Sequence, residues 1–303
     1  MTPPDDFDPQ IGVAHDLDPG IRRIVAPNPS PMTYRGTNTY LIGTRGLAVI
    51  DPGPTSEAHL NAILSAVGHG QNITHILVTH THVDHSPLAR PLAQATGAPI
   101  FAFGDASSGR SAAMQDLAAA GEIGGGEGVD MSFEPDEILQ DGDVIAGDDW
   151  ALETLHTPGH IGNHLAFAWD DTCFVADHVM GWASSLVSPP DGDLTDFMAS
   201  CEKLRARDWR VFHAGHGAPI LDPAGRLDWL MAHRRTREAS ILDALRTAPA
   251  NAAALAAAIY TGTPAPLLGA ATRNVLAHLI DLHGKTQVAP LGALTADVSF
   301  RRV

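Results

Sequence analysis

The chain has 303 residues, room for one domain of about 220 and a smaller one of about 80, and its 44% hydrophobic and 18% charged content excludes a disordered protein. Two cysteines, Cys173 and Cys201, exclude a disulfide framework; the acidic N-terminus Met1 to Asp8 lacks basic and apolar signal regions and no run could span a membrane, so a cytoplasmic protein with no membrane partner is expected. The net charge of −16 is uneven: residues 226–303 hold nine Lys or Arg and five Asp or Glu, residues 1–225 ten and thirty, which weighs against long-range attraction of a polyanion.

Up to about residue 222, apolar runs alternate with helical patterns and Gly or Pro breaks. Strands are predicted at 21–26, 37–43, 46–50, 73–79, 99–103, 150–156, 164–169, 172–176 and 210–214, and helices at 56–67, 86–96, 108–120 and 193–206, with Ser56 as an N-cap. This order fits an α/β arrangement of two sheets between helices, with polar loops gathered at one edge. Gly121–Gly128 has five glycines in eight residues, which predicts a flexible connecting loop. The texture changes at Pro223. A long amphipathic helix near 227–245 carries a basic patch, Arg234, Arg235 and Arg237, and helices at 251–260 and 266–282 precede a hairpin. Three helices and a hairpin make a winged helix, giving domains 1–222 and 223–303. The segment 270–279 has a single arginine, Arg273, so the tail is expected to shape a pocket rather than grip nucleic acid.

The chemistry concentrates in His80-Thr81-His82-Val83-Asp84-His85, directly after the apolar run Ile73 to Thr79. Four polar side chains cannot continue a buried strand, so the hexad is a loop at a strand end. Imidazole and carboxylate suit zinc and related divalent ions, and alternation at 80 and 82 turns two rings to one side. Asp84 and His85 then face a second ion. Three later loops can complete the set. His160 lies on the turn Thr157-Pro158-Gly159-His160, Asp177 ends the run Cys173 to Ala176 and has two oxygens with which to bridge, and His216 stands between Gly215 and Gly217.

H-x-H-x-D-H at 80–85, T-P-G-H at 157–160, A-D-H at 176–178 and G-H-G at 215–217 resemble, in order and spacing, the metallo-β-lactamase superfamily in its dinuclear hydrolase form. The resemblance implies an αββα sandwich and two divalent metal ions, with Zn2+ expected. His80, His82 and His160 hold the first, Asp84, His85 and His216 the second, and Asp177 bridges them. His82 replaces the glutamate of the flavodiiron enzymes, which disfavours redox iron; Asp177 is absent from true β-lactamases, so β-lactam hydrolysis is at most a weak side activity. None of the three tyrosines, Tyr34, Tyr40 and Tyr260, matches the catalytic tyrosine of the lactone-hydrolysing branch. The stretches 26–33, 36–41 and 187–193 resemble bacterial relatives of the lactamase-beta-2-like hydrolases, in which a winged helix follows the catalytic domain and whose mitochondrial member is an endoribonuclease.

The expected chemistry needs no protein nucleophile: a bridging hydroxide attacks an ester, thioester or similar small acyl substrate, Asp84 ligates and orients it, and His178 or a bound water assists the leaving group. The rival activity is phosphodiester cleavage of single-stranded RNA; homo-oligomerisation is left open. His164 is expected beside the ligands but not among them, and Asp51 is either a turn residue or the acceptor for a ligand histidine.

Overall fold

The computed structural model describes residues 7–303. Two sheets stack face to face. The first has seven strands in chain order, β1 (His15–Asp18), β2 (Ile21–Val25), β3 (Asn38–Ile42), β4 (Gly46–Ile50), β5 (Asn72–Leu77), β6 (Ile100–Ala102) and β7 (Glu137–Ile138). The second contains β8 (Val144–Ala146), β9 (Ala151–His156), β10 (Leu165–Trp169), β11 (Thr172–Ala176) and β12 (Val211–Ala214), ordered β12-β11-β10-β9-β8.

Alternation along each strand assigns side chains to layers. In β3, Tyr40 and Ile42 lie between the sheets and Leu41 faces outward; in β4, Ala48 and Ile50 face inward, Leu47 and Val49 outward. The outward set meets Ile63 of α1 (Glu57–Ser65) and Leu92 of α2 (Ala89–Thr96). In the second sheet, Phe167 and Phe174 join the inner layer while Ala166, Cys173 and Val175 pack outward on Phe197, Cys201 and Leu204 of α4 (Leu194–Arg205). Central strands are thus apolar on both faces, as sheets covered on both sides require. The layers run helix, sheet, sheet, helix, as expected. Edge strands β1, β7 and β8 were not anticipated: they are two to four residues long and largely exposed, so their own residues carry no apolar signature.

Strand directions place the loops. β4 and β5 are parallel; β9 and β11 both run antiparallel to β10, and β12 is parallel to β11. The residues following β4, β5, β9, β11 and β12 therefore meet at one edge, the carboxyl ends of their strands.

Beyond β12, α5 (Pro223–Ala244) starts with Asp222 capping Gly225 N at 2.9 Å and Pro223 in the first turn. Its first half (Leu227, Leu230, Met231) packs on the second sheet; Ile241 joins a C-terminal core with Leu255 of α6 (Ala252–Ile259), Leu279 of α7 (Leu268–Gly284) and Phe300. β13 (Val288–Pro290) and β14 (Phe300–Arg302) form the hairpin. Because α5 contributes to both cores, residue 222 marks a change of texture but not a gap. Met114 of α3 (Ala112–Ala120) and Ile123 also enter the C-terminal core. The glycine loop is thereby anchored rather than free: Ile123 is buried, Gly126 N donates to Asp191 Oδ2 at 2.6 Å, and Val83 N to Gly128 O at 2.8 Å.

His278 is buried in this half with no partner for either ring nitrogen. Burial, then the nearby Arg234 and His233, push its pKa down to about 3 from an ordinary 6.5. Since the unfolded chain binds the proton more readily, stability is complete above about pH 6.5 and falls as the pH drops toward the folded value. His278→Leu should therefore raise the Tm, and more at pH 5 than at pH 8, in melting scans of the ion-free chain. A lower Tm at both pH values would refute the assignment.

Candidate metal centre

Every side chain that the sequence picked out for ion binding arrives at the common edge. Ligand atoms of His80, His82 and His160 lie within 4.8 Å of one another, as do those of Asp84, His85 and His216. Asp177 stands between the groups: Oδ1 is 3.5 Å from His85 Nε2, and Oδ2 is 3.3 Å from His216 Nε2 and 3.8 Å from His160 Nε2.

The surroundings decide which nitrogen of each ring faces inward. His160 Nδ1 donates to Leu186 O at 2.6 Å and His216 Nδ1 to Gly36 O at 3.2 Å, since a carbonyl only accepts. His85 Nδ1 donates to Asp51 Oδ2 at 2.8 Å. Thr79 Oγ1 spends its proton on the same carboxylate at 2.7 Å, so toward His80 Nδ1, 2.9 Å away, it accepts. In four rings Nε2 is directed into the site; those of His80 and His85 are buried without a hydrogen-bond partner, like Asp177 Oδ1. His82 differs, presenting Nδ1 at 3.0 Å from His160 Nε2. Orphaned inward donors, each held from behind, are the arrangement of a metal site with its outer supports, and the donor set fits two cations of the zinc class.

The backbone bends to make this possible. Asp51 has φ 52° and Ala176 φ 40°, left-handed conformations costly for these residues, and both immediately flank the site. A Cβ on Gly215 would stand 2.2 Å from Asp177 Oδ1, and one on Gly159 (φ 134°) 2.2 Å from the Phe197 backbone, so the glycines before His216 and His160 are sterically required. Asp51 is itself near enough to His80 and His85 to resemble a third ligand group. Its oxygens are already engaged by Thr79 N, Thr79 Oγ1 and His85 Nδ1, so it orients rings instead.

Charge separates the two halves. Burial, then His160, lowers His82 to about 3, and burial lowers His80 well below its ordinary range, so the three-histidine half favours neutral rings. Burial also opposes charge on His216, yet Asp177 and Asp84 outweigh it and raise its pKa to about 10; His85 is likewise raised against burial by Asp84, Asp177 and Asp51. Without a cation, the second half stores protons among carboxylates. A divalent ion held by Asp84, His85 and His216 would supply the positive charge those protons represent.

The site extends into parts the sequence did not flag. Leu186 lies in a loop fastened by the C-terminal helices: buried Arg234 donates to Ser185 O and, at 2.9 Å, to Asn274 Oδ1; that same oxygen accepts from Val187 N at 3.1 Å, and Arg273 Nε reaches Ser188 Oγ at 2.8 Å. Thr37 Oγ1 donates to Asp84 Oδ2 at 3.3 Å, and Asn38 Nδ2 to Ala214 O and Gly217 O at 3.0 Å, pinning the His216 turn. Backbone carbonyls leave no trace in residue identities, which is why Leu186 and Gly36 escaped notice. His164 lies behind the site, its ring centroid 5.1 Å from that of His80 and its Nδ1 2.9 Å from Thr157 Oγ1. His178 faces away: wholly buried, it puts Nε2 3.5 Å from Cys201 Sγ and its ring centroid 4.5 Å from that of Phe197, with burial lowering its pKa to about 3. That placement does not deliver a proton to a leaving group, which corrects the role expected of His178. The expected basic patch also dissolves, because Arg234 is buried, Arg237 stacks on Tyr260 at 4.6 Å, and only Arg235 is exposed.

The metallo-beta-lactamase superfamily profile matches residues 32–216, and the profile of the beta-lactamase associated winged helix domain matches residues 252–292. A Drosophila melanogaster protein named beta-lactamase-like protein 2 homolog is 31% identical over 290 residues, covering 90% of this chain and 91% of the relative. The chain belongs to the metallo-beta-lactamase superfamily. Within this superfamily of mostly hydrolases it is also similar to an atrochrysone carboxyl ACP thioesterase of Claviceps purpurea, 27% identical over 241 residues, 78% of this chain and 69% of that one. Among solved structures, a beta-lactamase domain protein from Burkholderia ambifaria superposes with a TM-score of 0.81 over 99% of this chain and 96% of its own at 21% identity. A metallo-beta-lactamase family protein from Thermus thermophilus does so with 0.76 over 95% and 100% at 25% identity. Both share the fold across sandwich and winged helix together. Among the described residues no helix is long and apolar enough to cross a membrane.

Proposed function

We propose that this superfamily member is a dinuclear, zinc-dependent hydrolase of thioesters, esters or similar small acyl compounds. The observation that carries the reading is Asp177, whose two oxygens reach both ligand groups and join them into one centre. His80, His82 and His160 would hold one ion and Asp84, His85 and His216 the other, with Asp177 shared. When bound, the pair supplies Lewis acidity, drawing the pKa of a water toward neutrality and polarising the acyl carbonyl.

The chain's own residues do the rest. Asp84 is 22% exposed, so its carboxylate stands at the mouth of the site, where it accepts a hydrogen bond from the attacking water. Thr37 Oγ1 and His216 fix its orientation from behind at 3.3 and 3.2 Å. Hydrolysis adds one water across the C–S or C–O bond; the leaving sulfur or oxygen takes its proton from solvent at this open side, since His178 is turned into the core.

A small acyl substrate is favoured over RNA by charge. Arg273, the arginine of the predicted reading helix, is spent on Ser188 Oγ and the carbonyls of Ile123 and Pro189, while Arg234 is buried. Neither is free to pair with phosphate. The relative named as an ACP thioesterase supports the same choice. The test is to load the protein with zinc and assay it against an aryl acetyl ester, a butyryl thioester and a fluorescent oligoribonucleotide. Cleavage of the acyl compounds, abolished by chelator and restored by zinc, is expected; cleavage of RNA alone would overturn the reading.

A further inference from the structure

Arg23 is the anomaly of the sandwich. It is 5% exposed, its Nε and Nη1 are buried, and among the described residues it has neither an ion-pair nor a hydrogen-bond partner. Every other arginine before residue 222 meets a carboxylate or a carbonyl oxygen. With 35 acidic side chains against 19 basic ones, a shortage of carboxylates does not explain the exception.

Strand geometry accounts for the burial but not for the missing partner. Arg23 lies opposite Tyr40 in the β2–β3 ladder and so points between the sheets, where the Phe7 ring covers its guanidinium at 4.7 Å. Tyr40 cannot answer the charge: its hydroxyl donates to Ala214 O at 2.6 Å, and burial raises its pKa, so it stays neutral. His213 of β12, stacked on Phe174 and 5.4 Å from Tyr40, has no partner for either ring nitrogen. Burial, opposed by Asp18 and aided by Arg23 and Arg210, lowers its pKa to about 4, so it is neutral as well. A guanidinium held among neutral groups costs free energy until a counter-charge arrives.

There is space for one. A cavity of about 280 Å3 lies against Arg23, walled by Phe7, Pro9, Val13 and Val25 with Gln10 and His15. That volume suits a single small ligand. With Nε and Nη1 buried, Nη2 is the donor left to meet it. Asp8, exposed on the same wall, adds a negative charge of its own, which counts against a doubly charged oxyanion and favours a singly charged one. The apolar walls favour an anion that carries a few carbons.

We propose that this cavity binds a small monocarboxylate, its oxygens on Arg23 and its short carbon chain against Phe7, Val13 and Val25. The site shares no residue with the metal centre, so its binding is independent of what that centre hydrolyses. A ligand held here by the folded chain alone stabilises the edge of the sandwich where β2 faces β12.

The test combines melting scans and calorimetric titration of the full chain, in chloride buffer, with butyrate, 1-butanol, which has the same chain and no charge, and inorganic phosphate. Butyrate should bind one to one and raise the Tm by roughly 3 °C or more at saturation, phosphate should bind about tenfold more weakly, and 1-butanol should do neither. Arg23→Met should abolish the butyrate response and, without butyrate, melt no lower than the unaltered chain, because it removes an unmatched buried charge. Arg23→Lys should keep part of the response. Should Arg23→Met fail to fold, Asp8→Asn on the exposed wall carries the test, and should bind butyrate about threefold tighter. Several results would overturn the site: no butyrate binding, an equal response to 1-butanol, a lower melting point of Arg23→Met in butyrate-free buffer, or butyrate binding weakened by Asp8→Asn. Binding that Arg23→Met leaves unchanged would do so too, by placing the carboxylate elsewhere, at the metals above all. So would butyrate binding that appears only in the double variant Asp5→Asn, Asp6→Asn, since the chain's own carboxylates would then supply the charge.

Discussion

Asp177→Ala should strip the protein of metal and activity together. Its oxygens lie 3.3 to 3.8 Å from inward nitrogens of His85, His160 and His216, and no other described carboxylate spans both ligand groups. Alanine leaves three histidines on one side and two histidines with Asp84 on the other. It would also remove negative charge that would offset the cations held by the two ligand groups. Elemental analysis should fall from two ions per chain to one or fewer, and turnover by on the order of a thousandfold, about 4 kcal/mol of barrier. Circular dichroism should keep its native form, because Asp177 sits after β11 and not within its ladder. A variant that retains two ions and full turnover would remove Asp177 from the centre.

Asp84→Asn tests the other half. The change is nearly isosteric, and Thr37 Oγ1 can still donate to the amide oxygen. What disappears is the charge that, with Asp177, draws positive charge onto His216 and His85. The second ion should bind weakly, and a water at the mouth loses its acceptor. Turnover should drop on the order of a hundredfold or more, about 3 kcal/mol, and high zinc should recover only part of it, since the water's orientation is not restored by occupancy. Full activity with both ions retained would show that Asp84 neither ligates nor positions.

The sandwich was legible because β3, β4, β10 and β11 are apolar on both faces, and because Ser56 and Pro223 mark helix starts chemically. The ligand residues were legible because three imidazoles and a carboxylate in six positions have no packing rationale. What escaped was whatever depends on the third dimension. Asp51 could not be told from a turn residue until Thr79 and His85 were seen converging on it. His178 looked catalytic from its place next to Asp177, but a residue leaving a strand past a left-handed Ala176 turns its neighbour's side chain the opposite way, into the core. Arg234, Arg235 and Arg237 read as a surface cluster because consecutive charges usually are; on α5 they point in three directions, and two of them face protein.

The fastening of Leu186 bears on the order in which the molecule becomes complete. His160 owes its ring orientation to a carbonyl held in place by Arg234 and Asn274, which emerge from the ribosome after both sheets. A chain ended after β12 would lack this fastening, and Nδ1 of His160 would have no fixed acceptor. If His80, His82 and His160 hold an ion as proposed, such a shortened chain should take it up more weakly than the full one.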